Sequence, residues 1–308
     1  MELQEAGREL LKPDSKTKIE RGGRLLTMAA SGLMLLIAAA ILLMVASKGI
    51  ATFTVNKASV IDFFTGLKWE PGSVNEKGQP IVGAWPLIFG SFSVTFLAAL
   101  LCAPIAIGAA VFMTEISPRF GKKVLQPAME LLVGIPSVVY GFIGLSVLVP
   151  FIREHAGGSG FGIAAGTAVL SVMILPTMTS LTADAIRSVP VQLREASLAL
   201  GATRWQTISR VVLKTALPGI LTAIVFGMAR AFGEALAVQM VIGNSSVIPE
   251  SLVEPASTLT SILTMGMGYT VMGHADNNAL WSLALVLLVM SLVFIMAVRF
   301  IGKRRNRA

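Results

Sequence analysis

Six stretches of the chain are dominated by apolar residues: 25–47, 86–112, 126–150, 161–183, 216–243 and 279–301. Each lies near the roughly 20 residues that carry a helix across a hydrocarbon core. Lipid offers no partners for backbone N–H and C=O, so each must be helical, and none shows the strict alternation of a barrel strand. The pattern predicts an all-α, polytopic membrane protein with six transmembrane helices. Basic residues precede the first stretch, as they do in a secretory signal. Its apolar core is longer than the usual 7–15 or so residues of such a signal, so a retained helix is expected.

The charges set the expected orientation. Lys and Arg number 6 before the first span, 3 in 113–125, 5 in 184–215 and 5 from Arg299 onward, against 4 in 48–85, 1 in 151–160 and none in 244–278. Alternate segments thus hold 19 and 5, which predicts both termini in the cytoplasm of a cell (inner) membrane. The implied organisation is a cytoplasmic tail 1–24, a first transmembrane helix 25–47, an external segment 48–85, a five-helix core 86–303 with a cytoplasmic loop 188–214, and a tail 304–308. The segment 48–85 carries Trp69, Pro71, Gly72, Gly78, Pro80 and Trp85 and reads as a short surface cap.

Composition agrees with this reading. The chain of 308 residues is 54% hydrophobic and only 14% charged, against roughly a quarter in soluble domains. The net charge of +8 would suggest nucleic acid in a soluble protein; here its distribution makes it a topology signal, and no nucleic-acid partner is expected. A single cysteine, Cys102, excludes an intrachain disulfide. His155 and His274 are isolated, with no metal-ligand spacing, so neither a metal nor a cofactor is expected. No phosphate-binding GxxxxGK[ST] loop occurs; Gly121-Lys122-Lys123 lacks both the upstream glycine and the hydroxyl residue. With no catalytic constellation either, the chain is not expected to be an enzyme, and ATP hydrolysis would fall to a separate subunit.

Two segments carry candidate chemistry. From Ser188 to Ile208, polar and apolar positions mix at helical spacing on both sides of Gly201. Pro190 suits a helix start, where its missing N–H costs nothing, and Gly201 can end one helix and turn into the next. Leu193, Ser197, Leu200 and Trp205 can form one projecting patch, with Arg194, Glu195 and Arg204 beside it. Such a hairpin either rests on lipid headgroups or inserts into a cytoplasmic partner.

The other segment is span five, where Arg230 and Glu234 stand four apart. On one continuous helix they share a face, about 6 Å apart at Cβ. A charge at mid-bilayer costs about 2.5–3.5 kcal/mol on insertion scales, so the pair is expected to face protein or water. Rows of small residues flank it: Ala223, Gly227, Ala231 and Ala235 on one side, Ala229, Gly233 and Ala237 on the other, allowing close helix approach. The arginine fork suits phosphate oxygens, and a neighbouring carboxylate would weaken the trap so that an anion can leave again. A structural ion pair holding helices in register accounts for the same residues equally well.

These segments resemble a known family. Glu195-Ala196-Ser197, then Gly201 six residues after the glutamate and Val212-Leu213 beyond it, looks like the E-A-A…G…I-x-L-P loop of ABC-importer permeases. Ser197 replaces the second alanine and Lys214 the usual proline, with Pro218 one turn later as a possible start for span five. Arg230-Ala231-Phe232-Gly233-Glu234, then Ala237-Val238 and Ile242-Gly243-Asn244, is similar to the R-A-x-G-E…A-V…GN segment of phosphate-importer permeases, more narrowly of the PstC-type subunit. In span three, Glu130-Leu131-Leu132 and Ile135-Pro136-Ser137-Val138-Val139-Tyr140-Gly141 are similar to E-L-L…IPSxVYG of the same permeases. There Gly134, Pro136 and Gly141 would interrupt the helix near a pathway, with Ser137 and Tyr140 as possible anion donors; a packing kink explains Pro136 almost as well. The acidic stretch 248–255 and Leu259–Leu263 also resemble the PstC-type pattern, and the likeness covers roughly 85–303.

The resemblance implies a type I ABC-importer permease fold. It also implies a homologous PstA-type permease, two ATP-binding subunits, an extracytoplasmic phosphate-binding protein and phosphate as cargo. Arg194, Glu195, Ala196, Gly201, Ala202 and Trp205 would couple to the ATPase; Arg230, Glu234, Ser137 and Tyr140 would line the substrate pathway. Import of another oxyanion, sulfate or molybdate, is the nearest alternative, followed by a stand-alone proton-coupled carrier using Glu234 and by a membrane scaffold without transport.

Overall fold

A computed structural model describes the backbone of residues 15–305 and the side-chain surroundings of residue 20 and residues 22–296. The far ends of the two expected tails, 1–14 and 306–308, lie outside the described residues. The chain divides into two compact units, 1–48 and 49–308.

The first unit is helical from residue 15 on and supplies most of α1 (Ser15–Thr54). From Leu25 to Leu43 its large apolar side chains stand bare, Leu26 at 72% and Met34 at 67% exposure. Its backbone groups are paired within the helix, so this surface is compatible with lipid and hostile to water.

The second unit holds the rest. Segment 48–85 is more than the surface cap the sequence suggests. It forms a helical turn α2 (Val60–Thr65), in which the Asp62 N–H is capped by the Ser59 hydroxyl, and an antiparallel hairpin of β1 (Trp69–Val74) and β2 (Pro80–Val82). Phe63 is fully buried, with Phe53 and Trp69 packed edge-on at centroid distances of 5.3 and 6.4 Å. Val82, Ala84, Leu87, Leu259, Ala279, Leu280 and Leu283 complete that cluster, so the hairpin belongs to a core shared with the last helix.

The next helices are α3 (Trp85–Ile116), α4 (Gln126–Gly134), α5 (Ser137–Ala156) and α6 (Ile163–Arg187). After them come α7 (Val191–Ala199), α8 (Arg204–Gly233), α9 (Leu236–Ile242), α10 (Leu259–Gly266) and α11 (Ala275–Arg305). Helix α6 is the centre of the unit: Leu170, Ile174 and Met178 are buried against Val94, Ala98 and Cys102 of α3, Met228 and Ala231 of α8, and Val238 and Ile242 of α9. Among the described residues six helices are long and apolar enough to span a membrane, as the hydropathy pattern predicts.

Two expected spans are broken instead of continuous. The stretch 126–150 leaves the helical conformation at Ile135 (ψ 128°) and Pro136 (ψ 139°), giving α4 and α5. Proline disfavours helical backbone in the residue before it, which accounts for the interruption. Gly141 is not part of that break. It lies inside α5, where a Cβ would sit 2.9 Å from Cα of Ala237, so its role is to let α9 approach. The stretch 216–243 begins earlier than expected, at Arg204, and runs through Pro218, which lies inside the helix rather than at its start. It stops at Gly233 and resumes as α9.

Glycine positions explain the close packing. A Cβ on Gly227 would lie 2.4 Å from Met178, and one on Gly219 2.6 Å from Ala185, both across the α8–α6 contact. On α3, a Cβ at Gly90 would meet the carbonyl oxygen of Ser257 at 2.0 Å, so the segment leading into α10 crosses directly over that glycine.

Candidate functional site

The break at the end of α8 overturns the expected stacking of Arg230 over Glu234. Gly233 closes the helix with φ −82° and ψ −7°, its N–H bonded to the carbonyls of Arg230 and Ala231, and Glu234 lies in the connection to α9. The two charges are therefore not one turn apart on a common face. Among the described residues no ion pair or hydrogen bond joins them.

Each charge has different partners. Arg230 is exposed on this chain and donates from Nη1 to the hydroxyl of Thr177 at 2.7 Å, which ties the last turn of α8 to the middle of α6. Glu234 is half-buried and turns forward: its carboxylate accepts the Ala237 N–H at 3.3 Å, in the first turn of α9, and its backbone carbonyl accepts the Thr260 hydroxyl at 2.9 Å. A carboxylate at that place satisfies one of the amides a helix leaves unpaired at its start. Beside Glu234 lies a cavity of about 10 Å³ bordered by Ser91, Thr95, Thr258 and Thr260, near the smallest space that holds one water.

Ser137 and Tyr140 both lie just beyond the α4–α5 break. Ser137 is half-buried in the first turn of α5. The Tyr140 hydroxyl donates to the Leu132 carbonyl at 2.8 Å, so it closes the end of α4 and its proton is already committed. The interruption is thereby braced by a side chain one turn into the next helix.

In the loop 188–214, Pro190 precedes α7 as expected, and Gly201 adopts φ +80°, the left-handed region that glycine enters without strain. Thr203 caps the start of α8, with the Gln206 side chain returning the bond to its N–H. Leu200 and Trp205 stand out at 89% and 64% exposure, with Leu193 and Leu198 beside them. Glu195, Ala196 and Gly201 are also exposed and Ala202 half-buried. Ser197 does not join the projecting patch: its hydroxyl is half-buried against that of Thr207, 2.9 Å away. Arg194 likewise points inward, to Glu115 in the last turn of α3, at 2.8 Å from Nη2 to Oε1.

Sequence reasoning missed Thr177, Thr260 and Glu115. Thr177 is an ordinary hydroxyl residue in apolar surroundings and carries no local signal; Thr260 lies in the stretch 259–263 that resembles the PstC-type pattern, but nothing local marks it as a partner of Glu234. Glu115 carried such a signal: it is the lone acid in 113–125, a segment with three cations.

Comparison with known proteins matches residues 103–307 to the family described as "Binding-protein-dependent transport system inner membrane component". The chain is 56% identical over 285 residues to the "Probable ABC transporter permease protein YqgH" of Bacillus subtilis (strain 168), covering 92% of this chain and 91% of that one. It is 34% identical over 262 residues to the "Phosphate transport system permease protein PstC" of Mesorhizobium japonicum, covering 79% and 78% respectively. In fold it is similar to a chain of the bacterial alginate ABC transporter solved with a pentasaccharide-bound periplasmic protein, with TM-score 0.61 and 17% identity over 97% of this chain and 99% of that one. With its helical architecture and its spans, the chain belongs to the family of binding-protein-dependent transport system inner membrane components, as a multi-pass permease subunit of an ABC importer and a transport component, not a catalytic one.

Proposed function

We propose that this permease carries inorganic phosphate inward as the PstC-type subunit of an ATP-driven importer. Its partners are a homologous PstA-type permease, two ATP-binding subunits and an extracytoplasmic phosphate-binding protein. Both termini lie in the cytoplasm, with 1–24 and 304–308 as tails, 48–85 and 244–278 outside, and 188–214 docking to the ATPase. The loop docks through Glu195, Ala196, Gly201, Ala202 and Trp205, while Arg194 holds it from within. The permeases pair so that the exposed face bearing Arg230 borders the anion route.

The observation that carries this reading is the exposed Arg230 guanidinium, held by Thr177 beside a broken helix, within a segment that resembles the R-A-x-G-E segment of phosphate permeases. An arginine so placed supplies permanent positive charge and free N–H donors for a tetrahedral oxyanion. Ser137 lies at the start of α5, where helix amides point toward negative charge. The α4–α5 and α8–α9 interruptions are non-helical backbone at membrane depth, tolerated where it is buried in protein or lines a cavity. Glu234 acts by fixing α9 behind the arginine, not by pairing with it. The PstC relatives, alike over about four fifths of the chain, support phosphate over other oxyanions.

The deciding experiment is uptake by proteoliposomes that hold both permeases and the two ATPase subunits, with ATP inside and the loaded binding protein outside. Labelled phosphate is expected to accumulate and to be unaffected by excess sulfate or molybdate. Accumulation of sulfate or molybdate instead, with none of phosphate, would refute the phosphate assignment.

A further inference from the structure

Arg194 lies in the loop expected to meet the ATPase, yet most of its donors are used inside the chain. Nε and Nη2 reach the same Glu115 oxygen at 3.2 and 2.8 Å; Nη2 also reaches the Ile186 carbonyl at 3.0 Å, and Nη1 the Val189 carbonyl. Ile186 and Val189, at the end of α6 and just after it, are buried. Arg204, opening α8, donates from Nη2 to the backbone carbonyl of the same Glu115 at 3.2 Å. One residue at the foot of α3 is thus held by both arms of the loop.

Helix α7 has no buried residue of its own, so apolar burial cannot set its direction. The ion pair can: its side chains are only 20% and 14% exposed, where water screens it less than at a free surface. Without the carboxylate, Arg194 would be left half-buried with only two carbonyls, and the hairpin would keep only the Arg204 bond to the Glu115 backbone as its polar tie to α3.

We propose that Glu115 is the positioning residue through which motion of the loop 188–214 reaches α3, so that ATP-driven displacement of the loop moves α3 and α6 together. This rests on the reading of the chain as a permease driven at that loop by a separate ATPase. A salt bridge serving only stability would change how much complex forms. A positioning bridge changes how much cargo moves for each ATP.

The test uses the complete transporter in proteoliposomes and three readouts: ATPase subunit retained, binding-protein-stimulated ATP hydrolysis, and cargo moved per ATP. Glu115→Ala is expected to retain the ATPase and hydrolyse ATP, while cargo per ATP falls roughly tenfold. Glu115→Gln, which keeps the acceptor oxygen without the charge, is expected to fall between Glu115→Ala and wild type. Unchanged cargo per ATP in Glu115→Ala, or uptake falling only in step with retained ATPase, would overturn the proposal. Should Glu115→Ala fail to accumulate, Glu115→Gln against wild type decides by the same ratio. The ratio is taken on whichever oxyanion the wild type carries, so a failure of the phosphate assignment is distinguishable from a failure of the Glu115 coupling.

Discussion

Nη1 of Arg230 donates to Oγ1 of Thr177 at 2.7 Å, joining two helices 53 residues apart in sequence. The bond uses one guanidinium N–H of a side chain that is otherwise exposed on this chain. Thr177 follows Pro176, which has no N–H for the carbonyl one turn earlier and so makes regular helix harder to keep there. The arginine is thus anchored beside the proline inside the central helix.

If that anchor positions the guanidinium, Thr177→Val should weaken transport without abolishing it. A hydrogen bond to a charged group contributes about 1.5–3 kcal/mol, and exposure of Arg230 reduces this to ~1 kcal/mol, or roughly fivefold in KM for uptake. Thr177→Ser should stay near wild type, because the hydroxyl is kept. Arg230→Gln should lose more than about tenfold in uptake at normal expression. Transport kinetics in proteoliposomes check all three.

Exchange of the two charges, Arg230→Glu with Glu234→Arg, should not restore uptake. The residues share no helical face, and the exchanged arginine would replace a carboxylate that accepts a helix N–H. Recovery of transport in the double variant would contradict the geometry described for α8 and α9.

Substitution at Gly90 should destabilise the fold through packing alone. A methyl there meets a backbone oxygen at 2.0 Å, and that oxygen cannot rotate away as a side chain would. Overpacking of this kind costs about 1–3 kcal/mol. Gly90→Ala should therefore lower the thermal unfolding midpoint of the detergent-solubilised permease, whereas Gly108→Ala, with open space around it, should not.

At Gly201 the backbone conformation, not space, sets the limit. Its φ of +80° is reached with nothing within 4 Å of an added Cβ. Gly201→Val should cost ~1–2 kcal/mol through the left-handed strain. Gly201→Asn should cost less, since asparagine tolerates that region. Co-purification of the ATPase subunit and its stimulated hydrolysis should fall in that order.

Long apolar runs made the spans legible, because a bilayer imposes one length and one backbone solution on every crossing. Pro190 and Gly201 were legible for a similar reason: fixed φ and freedom at positive φ act locally. The loop's apolar tip, Leu200 and Trp205, followed from helical spacing alone. Its inner side did not, since the direction of Arg194 depends on a carboxylate 79 residues away.

Span five shows the boundary most sharply. Apolar hydropathy from 216 to 243 is blind to a break of two or three residues, because a span-length average is dominated by the many apolar residues on either side. What ends α8 is the sum of partners that only tertiary folding brings near: the Thr260 hydroxyl on the Glu234 carbonyl, and α9 turned against Gly141 of α5. The sequence alone determined that the chain crosses a membrane, about how often, and which segments carry unusual chemistry, since hydropathy, charge asymmetry and short motifs are local. The partners those charges take came from the folded chain, because hydrogen bonds such as Arg230 to Thr177 and Arg194 to Glu115 depend on distances between helices that no local pattern encodes.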